Sequence, residues 1–181
     1  LNLVCKTPKP IVLVGATRSF NHIASDGLGN LFDAIVVASK RASRKKGALV
    51  VLSNRIIGAR DAEKRHTFTA DSIQASDIGI FGYVNSGKAY YYHKSTRAHT
   101  YRTEFSIEGI ASLPRVDVIY GHSNMNPELI WQAVKKGAKG IIYAGVGNGN
   151  IHPQAMEALI DAQKEGVLIV RSTRTGAGIV T

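Results

Sequence analysis

A chain of 181 residues with 44% apolar content can bury one ordinary core or two small ones, and its aromatic residues are too spread out for a disordered segment. Its one cysteine, Cys5, excludes a disulfide within the chain, and no apolar run has the length of a membrane span, since Leu31 to Ala38 is interrupted by Asp33. The formal charge of +10 raises nucleic-acid binding, but no RNP-like aromatic motif, zinc-ligand spacing or long basic helix accompanies it.

In chain order, Ile11–Val14 is a continuously apolar run ending in Gly15, the pattern of a strand buried on both faces. After a polar loop, Ser25 or Asp26 can cap a helix with Leu28, Leu31, Phe32, Ile35 and Val36 on one face, the face expected to be buried. The helix is predicted to close at Gly47, with Lys40, Arg41, Arg44, Lys45 and Lys46 at its end, where cations complement the helix dipole. A solvated helix end therefore explains this cluster without nucleic acid. Ala48–Leu52 reads as the next buried strand, which predicts a parallel β-α-β pair. Beyond a loop through Lys64, Ile80–Val84 and Ala89–His93 flank Asn85-Ser86-Gly87 as a hairpin. Its Tyr90-Tyr91-Tyr92 run places alternate rings on opposite faces, which suits a half-buried strand better than a base-stacking platform.

Residues 94–114 are polar and aperiodic, end at Pro114, and read as a linker. Val116–Tyr120 restarts the β-α pattern. Asn126-Pro127 supplies a cap and first helical position, with Leu129, Ile130, Ala133 and Val134 as the buried stripe and Gly137 as the stop. After the strand at Gly140–Ile142, His152-Pro153 opens a helix that buries Met156, Leu159 and Ile160 and stops at Gly166, before a last strand at Val167–Val170. The fold class is α/β. Two parallel-sheet units, flavodoxin- or Rossmann-like, are expected: 1–93 with a hairpin at its end, and 115–181, joined by the linker 94–114.

The run Tyr143-Ala144-Gly145-Val146-Gly147-Asn148-Gly149-Asn150 joins a strand to a helix, at the sheet edge where open α/β folds bind ligands. Its glycines permit positive φ and close approach, and its asparagines both donate and accept. The glycines alternate, unlike the dinucleotide fingerprint, and the following strand ends in Arg171 where a ribose-binding acid would stand. Gly87-Lys88-Ala89 is not a phosphate loop. His22, His66, His93, His99, His122 and His152 show no ligand pair at helical spacing, and no Gly-x-Ser-x-Gly elbow is present.

Several of these segments together resemble the bacterial L-asparaginases of the type II and glutaminase-asparaginase group. They are Val12-Leu13-Val14-Gly15-Ala16-Thr17-Arg18, Ser25-Asp26-Gly27 with Asn30-Leu31, Arg60-Asp61-Ala62-Glu63-Lys64, His99-Thr100, Leu113-Pro114-Arg115-Val116, Ala144 through Gly149, and Val170-Arg171-Ser172-Thr173-Arg174. The likeness runs over nearly the whole chain in family order. It implies an amidohydrolase that turns asparagine, and glutamine as a second substrate, into the acid and ammonia through a threonine acyl-enzyme, with no metal or organic cofactor. It also implies that this chain is the central part of such an enzyme. The family's Thr-Gly-Gly-Thr nucleophile and His-Gly-Thr-Asp-Thr motif are expected before Leu1, and its Asn-Pro-x-Lys-Ala-Arg region after Thr181. Thr17 stands where the family often has methionine, and Phe20-Asn21-His22 departs from its pattern.

By the same resemblance Lys64 is the catalytic lysine, which passes protons with the threonine and aspartate. The carbonyl of Ala16 holds the substrate's amide nitrogen, and Asn150 reaches the site of a neighbouring subunit. A lysine beside a carboxylate can exchange protons near neutral pH, which suits that role. The residues themselves also allow Lys64 to be a surface lysine, Ala16 a strand-end packing residue and Asn150 a loop asparagine. The implied partners are a small amide amino acid and copies of the chain, as a tetramer built from dimers, with neither nucleic acid nor membrane. The implied compartment is the periplasm or the exterior, with the cytoplasm as the alternative. A non-catalytic homologue, a basic binding module and an ammonia-generating amidotransferase subunit remain open as rival readings.

Overall fold

In the computed structural model, which describes residues 1–181, strand β1 (Ile11–Val14) lies parallel to β2 (Ala48–Leu52), with helix α1 (Gly27–Ser39) between them in sequence. The chain then turns back at Ser53-Asn54, both at positive φ, into β3 (Arg55–Gly58), antiparallel to β2. Two residues at positive φ are what a tight hairpin needs, and asparagine tolerates that region. A small separate ladder joins β4 (Ala62–Lys64) to β5 (Ile73–Ala75). The hairpin β6 (Gly82–Asn85) and β7 (Lys88–Tyr91) completes a mixed sheet in the order β1-β2-β3-β6-β7. The sequence pattern missed β3, β4 and β5, because Ser-Asn is a weak turn signal and three- or four-residue strands hold too few residues for a period to show.

The burial of α1 is rotated from the expected face. Asn30, Asp33, Ala34 and Val37 are buried, whereas Leu28, Leu31, Phe32 and Ile35 are exposed, Phe32 at 57%. The helix is apolar nearly all round, so periodicity could not choose the inner face; hydrogen bonding did. Asn30 is bonded to Asp26, Gly15 and Ser53, and Asp33 accepts from Asn54 Nδ2 at 2.9 Å, so both polar groups are satisfied under the sheet. Val37 packs with Leu49, Val51, Ile56, Phe81 and Val84 in the first core. The helix stops at Ser39, short of Gly47, and the basic cluster follows it in a 3-10 turn (Arg41–Ser43) and a loop, not in its last turn. Leu13 and Val14 of β1, which stands at one end of this strand order, are exposed rather than buried on both faces. Tyr91 is half-buried, with its hydroxyl 2.6 Å from Ser43 Oγ and Lys46 Nζ 4.3 Å from its ring centre, while Tyr90 and Tyr92 are exposed.

The contacts divide the chain at Glu108 and Gly109. Residues 94–108, expected as linker, therefore belong to the first unit. Asn2 fastens them: its carbonyl accepts from Thr100 N–H (2.7 Å) and its side chain from Ala48 N–H (2.9 Å), with His99 and Thr100 buried. The segment is held by hydrogen bonds rather than by an apolar period.

The second unit is a three-stranded parallel sheet, β10-β9-β8, of β8 (Val116–Tyr120), β9 (Gly140–Gly145) and β10 (Leu168–Thr173). Helices α2 (Glu128–Lys135) and α3 (Pro153–Lys164) pack with one face of it around Ile119, Ile141, Tyr143, Ile130 and Leu159. On the helices, Ile130 and Ala133 are buried as expected, but Leu129, Met156 and Ile160 are exposed; Ala155, Ala158 and Ala162 make the inner stripe of α3. Small residues let that helix approach closely, and the larger ones turn outward. On the opposite face of the sheet Val116, Val118, Leu168 and Val170 are exposed.

Candidate functional site

The loop after β1 is held from within. Both carboxylate oxygens of Asp26 accept from Thr17 N–H (3.1 and 3.0 Å), one also accepts from Arg18 N–H (2.9 Å), and the other from Asn30 Nδ2 (2.9 Å). Asn30 Nδ2 donates as well to Gly15 O at 3.0 Å, and its Oδ1 accepts from Ser53 N–H at 2.9 Å. Asp26 occupies the cap position of α1 yet makes no side-chain cap bond; its carboxylate faces back to the loop. Burial pushes its pKa up, but bonds from the Thr17, Arg18 and its own N–H and from Asn30 outweigh burial and hold it below the ordinary carboxylate value. Ala16 lies between the fastened residues, exposed, and its carbonyl takes no hydrogen bond from the chain.

Lys64 ends β4, paired with Ile73, and is exposed. The neighbouring ion pair, Glu63 to Arg65 at 2.8 Å, leaves it out. Just past it, Arg65 N–H donates to Ser72 O at 2.7 Å. Ser72 is buried, and its hydroxyl lies 3.2 Å from Thr17 Oγ1. Ala70 O accepts from Ser53 Oγ at 2.7 Å and from Thr17 Oγ1 at 3.5 Å. The loop carrying Ala16 and the segment following Lys64 thus share one hydrogen-bonded network. Asp61, buried beside β4, has its pKa raised, chiefly by burial, with Asp77 adding to the rise and Arg60 opposing it.

In the second unit, β9 ends at Gly145 and the chain loops back so that Val146 and Asn150 exchange backbone bonds, 2.9 Å from Asn150 N–H and 3.3 Å from Val146 N–H. A Cβ on Gly145 would lie 2.5 Å from Asn150 O, and Gly149, at φ +75°, would bring one within 2.8 Å of Ser172 O. The glycines are needed here for close packing of backbone on backbone. Asn150 is exposed at the end of this loop, and the side-chain amide of Asn148 donates through Nδ2 to Thr181 Oγ1 and accepts through Oδ1 from Thr181 N–H. Ala16 and Lys64 therefore lie in the first unit, each next in sequence to a residue of this network, Thr17 and Arg65, while Asn150 stands in the second.

The sequence pattern reads Asp26 as a helix cap and gives Asn30 no role beyond the resemblance, and it does not single out Ser53 or Ser72. The available signal was the pair Asp26 and Asn30, four residues apart at a helix start directly after the Ala16 loop. Its meaning depends on which face of α1 is buried, and the apolar pattern pointed to the other face.

An exposed main-chain acceptor at Ala16 and an exposed lysine at the end of β4 stand beside a partly buried polar network in an α/β unit. The profile "Asparaginase, N-terminal" matches residues 1–97, and "Glutaminase/Asparaginase C-terminal domain" matches 115–181. L-asparaginase 2 of Bacillus subtilis (strain 168) is 44% identical over 181 residues, covering 100% of this chain and 48% of the relative. A probable periplasmic L-asparaginase of Haemophilus influenzae is 38% identical over 181 residues, covering 100% of this chain and 52% of the relative. The crystal structure of a probable cytoplasmic L-asparaginase from Campylobacter jejuni superimposes with a TM-score of 0.97 at 35% identity, over 99% of this chain and 59% of that one. The chain belongs to the asparaginase family. It spans about half the length of the curated relatives it matches.

Proposed function

We propose that the complete protein is an L-asparaginase-like amidohydrolase that acts on asparagine, and on glutamine as a second substrate. The observation that carries this reading is the match of both family domains along the chain, supported by the hydrogen bonds that join Thr17, next to Ala16, to Ser72, and Ser72 to Arg65, next to Lys64. In this reading a threonine hydroxyl outside residues 1–181 attacks the amide carbon, ammonia leaves, and water hydrolyses the resulting ester. Lys64 holds and returns the proton that moves between nucleophile and leaving group, because a hydroxyl is a weak nucleophile until a base takes its proton. The Ala16 carbonyl, free of internal partners, accepts a hydrogen bond from the substrate's amide NH2. Asn150 hydrogen-bonds the substrate's charged ends from a neighbouring subunit of a dimer-based tetramer. The relatives' names put one in the periplasm and another in the cytoplasm, so either location fits; we place this protein in the periplasm or outside the cell, on the 38% identity to the periplasmic relative.

The test is ammonia release from asparagine by the complete protein and by its Lys64→Met variant. The variant should lose most of its kcat with a smaller change in asparagine affinity, since a proton-handling group acts mainly in the transition state. Wild-type turnover in the variant would overturn the assignment. Release of no ammonia by the unaltered complete protein would favour the non-catalytic homologue.

A further inference from the structure

We propose that Asp26, with Asn30, is a positioning residue for amide recognition: it aims the Ala16 carbonyl and strengthens it as an acceptor for the leaving group's N–H. The inference rests on the reading of Ala16 as a substrate contact. The geometry comes from the peptide unit between Ala16 and Thr17. No peptide bond in the chain is cis, so this one is planar and trans, and its C=O and N–H point in opposite directions. Thr17 N–H is directed onto both oxygens of Asp26, at 3.1 and 3.0 Å. The Ala16 carbonyl must therefore point away from Asp26, and it meets no internal donor. Asn30 Nδ2 fastens the preceding peptide through Gly15 O, and Asp26 fastens the following one through Arg18 N–H. Ala16 is thus gripped on both sides, and the loop cannot swing its carbonyl without breaking bonds to buried Asn30.

Charge adds to aim. A hydrogen bond from a peptide N–H to a carboxylate is charge-assisted, and it polarises the same peptide so that its carbonyl oxygen becomes a better acceptor. Asp26 accepts two such donors, Thr17 and Arg18 N–H, and the side-chain Nδ2 of Asn30, while making no bond to the backbone N–H groups of the first turn, as a plain cap would. Hydrogen bonds of Thr17 Oγ1 with Ser72 and Ala70 then tie the aimed loop to the segment following Lys64.

The distinguishing property is the leaving atom. An amide NH2 can donate to the Ala16 carbonyl, and an ester oxygen cannot. The experiment compares asparagine with the β-methyl ester of aspartate as substrates of the complete protein, for the wild type and for Asp26→Asn and Asp26→Ala. Each variant's melting temperature is measured alongside. Asp26→Asn keeps the size and one accepting oxygen, so it folds where the alanine variant is marginal. The ratio of kcat/KM for amide over ester should fall about tenfold in Asp26→Ala, the scale of one hydrogen bond, and severalfold in Asp26→Asn. Equal losses on both substrates, or no loss in Asp26→Asn, would overturn the proposal and leave Asp26 a structural residue. Failure of the underlying reading has a different signature, a wild type that hydrolyses neither substrate.

Discussion

His99 shows how a single residue couples the fold of the first unit to pH. It is buried, with Nδ1 3.0 Å from Thr100 Oγ1. It also sits against Gly47, where an added Cβ would lie 3.2 Å from the imidazole. Burial lowers its pKa, and the charge of Arg102 lowers it further. The unfolded chain, with a histidine pKa of about 6.5, then binds more protons than the folded one in the window just below that value. Stability therefore falls as pH drops from 7 through 6.5 toward the depressed folded value. Melting temperatures at pH 7.5, 6.5 and 5.5 should decline for the wild type and decline less for His99→Gln. Parallel curves for the two proteins would show that other groups set the dependence.

At the scale of elements, both helices of the second unit end in the same way. Gly137 and Gly166 adopt positive φ (+82° and +84°). Around them Ala138 N–H donates to Ala133 O and Gly137 N–H to Val134 O, just as Val167 N–H donates to Ala162 O and Gly166 N–H to Gln163 O. Each pair satisfies carbonyls that the helix end leaves open. Neither glycine has a heavy atom within 4 Å of where a Cβ would stand, so alanine there incurs backbone strain alone. Urea unfolding of Gly137→Ala should show a loss of about 1–2 kcal/mol, and the pair with Gly166→Ala should be close to additive. Gly82 differs, because a Cβ there would fall 1.8 Å from Tyr90 O of its own hairpin partner. Gly82→Ala should lose more than either helix-end variant, since backbone must move; an equal loss would refute the steric account.

For the molecule as a whole, the residues assigned roles under the proposed function are divided between the two units. Ala16 and Lys64 belong to the first and Asn150 to the second. In the proposed function the nucleophilic threonine lies outside residues 1–181, so the 181-residue polypeptide alone should release no ammonia from asparagine. Release that Lys64→Ala abolishes would require a nucleophile among these residues. The role of Asn150 across a subunit boundary is tested with a mixed dimer of the complete protein, one subunit carrying Asn150→Ala and the other Lys64→Met. If Asn150 serves the partner's site, one site holds both lesions and the other none, so about half the activity survives. If it serves its own subunit, every site is damaged and activity falls far below half.

The amino-acid pattern by itself determined the α/β class, the parallel pairing of β1 with β2, the β6–β7 hairpin and the strand-loop-helix run that ends in Asn150. These follow from local rules, apolar runs of strand length and glycines at turns, which a short stretch of residues carries in full. Only the tertiary structure decided which face of α1 is buried, that Ser53-Asn54 turns the chain into β3, that His99 and Thr100 join the first unit, and that Asp26 and Asn30 grip the Ala16 loop. Each of those depends on a polar group finding a partner far along the chain. A buried asparagine is costly without hydrogen bonds and stable with them, and whether the bonds exist is settled only when distant backbone is brought alongside.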